Sequence, residues 1–177
     1  LPIITARLTV RTVTPDDVDD IQAAKMERAE DMRRWMSWSS PEGMTREGTE
    51  GFVKLGLDPQ SRILPLVART RTDGGLAMMS GLDALDDNFT TISTGWWVAK
   101  SFEGQGLAFE AMTSILHFAF EQAQVQTMTS CYYEGNARSR NLMERLGFTF
   151  ERVEENRHRS HLTGELHNVY HYRLEKS

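Results

Sequence analysis

The stretch Trp96–Met112 reads WWVAKSFEGQGLAFEAM and sets Gly104 and Gly106 directly ahead of an apolar periodic run. Glycine is a poor helix former, but it lets the backbone turn sharply and present several N–H groups. The helix that follows adds a partial positive charge at its start. Together these hold an anion, and a phosphate or pyrophosphate is the natural guest. The same glycines also suit a tight turn before a packed helix, so the spacing alone leaves both readings open. Two phosphate motifs are excluded. No Gly-Lys-Ser/Thr follows, as a P-loop requires, and Phe109 stands where a dinucleotide fingerprint needs its third glycine.

Three further groups have chemically useful types. Asn136 and Ser139 open the segment NARSRNLMERLG. Asn136 can cap a helix, which would leave the Ser139 hydroxyl in its first turn. His158, His161, His167 and His171 cluster near the C-terminus, but their spacing fits no zinc pattern and no thiolate cluster accompanies them, so no metal is expected. Cys131 is the one cysteine; it forms no intrachain disulfide and reads as a small buried apolar residue.

Elements must position these groups. RLTVRTV alternates as a first strand, and TPDDVDDIQAAKM starts a helix with Thr14 as cap, Pro15 in the first turn, and Val18, Ile21 and the stem of Lys25 on one face. MRRWMSWSSPEGM reads as irregular, and a second helix begins near Thr45. RILPLVART, LAMMSGL and FTTISTGWWVA are strands, the first two joined at Asp73-Gly74-Gly75. A helix from Leu107, the strand VQTMTSCYY, the helix after Asn136 and the strands FTFERVE and NVYHYRL complete the chain. The order β-α-α-β-β-β-α-β-α-β-β implies one mixed α/β (α+β) domain over residues 1–177, with a mostly antiparallel central sheet.

Bulk properties narrow the class. The formal charge is −5, with basic and acidic residues interleaved, which argues against nucleic acid as a partner. No apolar run approaches the roughly 20 residues of a membrane span, and the N-terminus shows no signal-peptide pattern. A reducing cytoplasm is the expected compartment.

The stretches GWWVAKSFEGQGLAFEAM, NARSRNLMERLGF and HNVYHYRL, with MRRWMSW earlier, resemble the GNAT superfamily of acetyl-CoA-dependent N-acetyltransferases. Within it they are similar to the RimJ/RimL-like branch, which acetylates ribosomal-protein N-termini. The resemblance runs from about Arg7 to Leu174. The acetyl-CoA pattern R/Q-x-x-G-x-G/A fits at Gly106 and Ala108 and misses at Glu103. The resemblance implies a splayed strand, with Trp97, Val98 and Ala99 along the pantetheine arm and Glu103, Gly104, Gln105, Gly106, Leu107 and Ala108 around the pyrophosphate. It implies that Asn136 bonds the cofactor and that Ser139 lies near its sulfur as proton donor; Tyr132 and Tyr133 on the preceding strand could substitute for it, but read first as packing residues. Trp35, Met36 and Trp38 would wall the acceptor site, although alone they read as core packing.

Two departures follow. A carboxylate at Glu103 would repel a pyrophosphate unless it faces solvent. Ser93-Thr94-Gly95-Trp96 lacks the acidic base of this branch, which leaves His158 as proton acceptor and Glu151 as the alternative. The implied function is acetyl transfer from acetyl-CoA, by direct attack, to a primary amine: a protein or peptide N-terminus. The alternatives are a small-molecule amine, or an acyl-CoA-binding protein with impaired catalysis. Family members often dimerise, so a homodimer is the assembly the resemblance suggests.

Overall fold

The computed structural model describes residues 1–176 of the chain. Its centre is one eight-stranded sheet in the order β1-β2-β3-β4-β5-β6-β8-β7. The strands are β1 (Ile3–Ile4), β2 (Leu8–Thr12), β3 (Ile63–Thr70), β4 (Leu76–Ala84), β5 (Thr91–Val98), β6 (Thr127–Tyr133), β7 (Thr149–Arg159) and β8 (Leu166–Glu175). Every pairing is antiparallel except β5 with β6. The helices are α1 (Val18–Glu27), α2 (Ala29–Trp35), α3 (Arg46–Leu55), α4 (Leu107–His117) and α5 (Ala137–Arg145).

Strand alternation sends neighbouring residues to opposite faces, and each face packs its own helices. Leu66, Ala68, Met78 and Met128 join Leu107, Ala111, Met112 and Ile115 of α4 on one side. Val67 and Met79 join Val18, Ile21 and Val53 of α1 and α3 on the other. Met78 and Met79 are therefore both core, one per face, and each fully buried side chain contributes about 1.5–3 kcal/mol. Trp96 packs with the α4 side and Trp97 with the α1–α3 side.

Helix starts follow local chemistry. Thr45 caps α3 by accepting from Gly48 N–H, and Asn136 caps α5 by accepting from Ser139 N–H at 3.2 Å. Pro15–Asp17 forms a short 3₁₀ turn that leads into α1.

Two elements differ from the sequence expectation. The two-residue strand β1 extends the sheet edge, and MRRWMSW is not wholly irregular, because its first four residues complete α2. That helix buries Met32 alone, too little periodic signal to show in the sequence.

Candidate active site

The sheet is incomplete in its middle. β4 pairs with β5 as far as Val98, whereas β6 pairs with β5 only over Thr91–Ser93. Ser130 Oγ donates to Thr94 O at 2.8 Å, just past the last paired residues. Beyond it the strands separate, and the β6-facing edge of β5 from Gly95 to Val98 has no strand partner. Trp97 and Val98 lie on this free segment. Ala99 follows it, buried, its N–H donated to Ala77 O at 2.9 Å.

The glycine loop lies beyond this edge. Gly104 and Gly106 have φ of +71° and +75°, left-handed values that other residues adopt only at a cost, and Gly106 is the residue before α4. The N–H groups of Gly104, Gln105, Gly106, Leu107 and Ala108 donate to no partner among the described residues. Five unpaired donors at a helix start make an anion cradle. Arg7 fixes the loop, donating to Gln105 O at 2.9 Å and pairing with Glu110 at 2.6 Å.

Glu103 takes neither course expected of it. Its carboxylate forms an ion pair with Arg28 at 2.8 Å and accepts from Arg138 at 2.9 Å. Arg28 also donates to Val98 O, at the end of the free edge. Two guanidiniums thus neutralise the residue that departs from the family pattern, and Asp31, 2.9 Å from Arg28, balances the second of them.

On the α1–α3 side the gap between β5 and β6 opens into a cavity of about 460 Å³. It brings together Asn136 and Ser139, Trp97, and the residues Trp35, Met36 and Trp38. Asn136 both caps α5 and lines the cavity, so its two expected roles coexist. The wall at Trp35–Trp38 is strapped by the β7–β8 arm. Leu162 N–H donates to Arg33 O at 3.0 Å, and His161 Nε2 lies 2.9 Å from Ser37 O.

The structure does not bring His158 to this cavity. The ring is buried and stacks on Tyr133, with centroids 3.6 Å apart, and Nε2 lies 3.4 Å from Arg34 O. Tyr133 lines the cavity in its place, and Tyr132 lines it too. Burial lowers the His158 pKa from its ordinary value, outweighing the hydrogen bond to Arg34. Glu151 is absent from the lining as well. Cys131 is exposed and lines the cavity rather than being buried.

Two residues that sequence reasoning passed over carry the cavity's charge. Asp83 of β4 lies directly opposite Ser93 of β5. Facing residues of an antiparallel pair share a sheet face, and both line the cavity, so a carboxylate absent from β5 is supplied by the neighbouring strand. Only strand register reveals this. The second is Lys25, which is 4% exposed. Its Nζ donates to Gly43 O and Thr49 Oγ1, both at 2.7 Å, and lies 5.5 Å from the Trp38 ring centre. Desolvation lowers its pKa to about 8. Its sequence signal was a lysine on the apolar stripe of α1. Among the described residues no group of three or more His, Cys, Asp or Glu could hold a metal ion, and no helix is long and apolar enough to cross a membrane.

The acetyltransferase (GNAT) domain profile matches residues 7–149. The chain belongs to the GNAT acetyltransferases. YdaF of Bacillus subtilis (strain 168), provisionally named a ribosomal N-acetyltransferase, is 25% identical over 98% of this chain and 93% of its own. The solved structure of RimL, the ribosomal L7/L12 alpha-N-protein acetyltransferase, in complex with coenzyme A superposes with a TM-score of 0.84. It shares 16% identity over 98% of this chain and 96% of RimL. The microcin C7 self-immunity acetyltransferase MccE, in complex with acetyl-CoA and AMP, gives 0.83 at 17% identity, over 97% of this chain and 93% of its own. These solved structures share the GNAT fold seen here. In a GNAT enzyme acetyl-CoA is the co-substrate, and the free β5 edge with its unpaired amides fits that molecule.

Proposed function

We propose that this GNAT enzyme transfers acetyl from acetyl-CoA to the α-amine of a peptide or protein N-terminus. The observation that carries the reading is continuity. The free edge of β5 runs from Gly95, beside the cavity lined by Asn136, Ser139, Trp35, Met36 and Trp38, to Val98, and the chain then turns into the anion cradle at Gly104–Ala108. Donor and acceptor thereby meet at the end of the pantetheine channel, and positioning supplies much of the rate.

The chemistry needs a neutral amine. An α-amine has a pKa near 8, so a modest base suffices. Asp83 takes the proton, directly or through water, in the place the sequence assigned to His158. The amine nitrogen attacks the thioester carbonyl, the new C–N bond forms, and the C–S bond breaks. The Ser139 hydroxyl protonates the departing thiolate, and the proton shed by the nitrogen is returned to Ser139 Oγ through solvent.

The test is acetyl-CoA turnover on a panel of N-terminal peptides and small amines. Peptide turnover is expected. Turnover confined to small amines would overturn the N-terminal preference. Binding of acetyl-CoA without turnover on any amine would overturn the enzyme reading.

A further inference from the structure

The cavity lining contains one cation, Lys25, and one carboxylate, Asp83. Neither forms an ion pair among the described residues. For Lys25 this is unusual. A buried ammonium without a counter-ion carries a desolvation cost that neutral acceptors only partly offset. Its two hydrogen bonds, to Gly43 O and Thr49 Oγ1, use two of its three donors. The side chains around it are not free to move aside. Thr49 Oγ1 also donates to Gln22 Oε1 at 2.6 Å, and Gln22 Nε2 donates to Met44 O at 3.1 Å. The network holds Nζ in place, and Thr49, Gly43 and Trp38 beside it all line the cavity.

We infer that Lys25 is a carboxylate-binding subsite, and that the acceptor carries a carboxylate as well as the amine to be acetylated. The inference rests on the reading of this cavity as the acceptor site. It goes beyond that reading by naming the acceptor's charge pattern: an amine that gives its proton to Asp83 and an anion that pairs with Lys25. The class covers a peptide with Asp or Glu close behind its N-terminus and a free amino acid, whose own carboxylate serves. The same ammonium repels a cation, so an acceptor with Lys or Arg in that place is disfavoured.

Calorimetry on the protein saturated with coenzyme A tests this without requiring turnover. The probes are hexapeptides identical except for Ser-Asp, Ser-Asn or Ser-Lys at the start, together with free serine and serinamide. Acetylation rates are measured on the same set. The Ser-Asp peptide is expected to bind at least about tenfold more tightly than Ser-Asn, with Ser-Lys weakest. In Lys25→Gln, which keeps a donor for Gly43 O, the Asp/Asn ratio should fall to about one while affinity for acetyl-CoA stays unchanged. A preference for serine over serinamide, with the peptides indistinguishable, would assign the subsite to free amino acids. Equal binding within both pairs in the unaltered protein would overturn the proposal, even if Lys25→Gln does not fold. A binding preference without any acetylation would uphold the subsite and defeat the proposed activity instead.

Discussion

Asp17, at the start of α1, and Lys25, two turns further on, are both buried charges, at 1% and 4% exposure. Their surroundings are opposite. Asp17 is held by Arg11 at 2.7 and 2.8 Å, by Arg69 at 2.6 Å, and by the Thr14 N–H at 2.8 Å. Burial would raise its pKa, but these hydrogen bonds outweigh burial and hold the carboxyl far below the usual carboxylate range. Lys25 has only neutral partners, a carbonyl, a hydroxyl and the face of the Trp38 ring, and burial brings it down to about 8. A charge whose partners lie inside the fold supports the fold. A charge left without one, at a cavity wall, is available to a ligand, and Asp83 belongs to this second kind.

The largest expected effect breaks the internal set. Asp17→Asn leaves two guanidiniums short of their partner and should lower unfolding free energy by about 3 kcal/mol, read from denaturant melts, while the preference among acceptor peptides is unchanged. On the cavity side, Asp83→Asn should lower kcat/KM by about a hundredfold, the low end of general-base effects, with acetyl-CoA affinity intact. An unaltered rate would remove Asp83 from the reaction. Ser139→Ala should lower kcat about tenfold, close to 1.4 kcal/mol, and a full rate would mean that solvent protonates the thiolate.

Titration gives a smaller effect, of the same sign at the two ends of α1 but in separate pH windows. The folded pKa of Asp17 lies below its unfolded value near 3.8, so its contribution is present above that pH and is lost as pH falls further. The folded pKa of Lys25, about 8, lies below the unfolded 10.5. Between those values the unfolded chain holds the extra proton, and stability rises with pH. The gain should be roughly 1 kcal/mol after allowance for screening at the cavity wall. Melts of the protein and of Lys25→Gln at pH 7 and 9.5 check it, since the variant should lack the rise. Smallest of all, His158→Ala should change kcat less than about twofold. A tenfold loss with an altered pH profile would restore His158 to the chemistry.

What was readable in the sequence was local or periodic. Gly104, Gly106 and the Asn136 cap lie within a few residues of what they organise, and α4 and the alternating strands follow from hydrophobic period. What was not readable needed partners from far along the chain. Asp83 meets Ser93 only through the β4–β5 register. Lys25 becomes a charged wall only once Gly43 and Thr49 fold over α1. Glu103 is neutralised by Arg28 and Arg138, from two different helical regions. The histidine at 158 has a suitable residue type, but the face of β7 it occupies turns it onto Tyr133.

The strap from the β7–β8 arm also sets an order of assembly. His158 and His161 reach Arg34 and Ser37 across 124 residues of sequence. Closing so long a loop is costly and late in folding, so during synthesis the acceptor wall stays unfinished until the last two strands have formed. The same contacts make this wall a separable opening unit. Amides near Arg33–Ser37 should exchange with solvent well before those of the β3–β4 core.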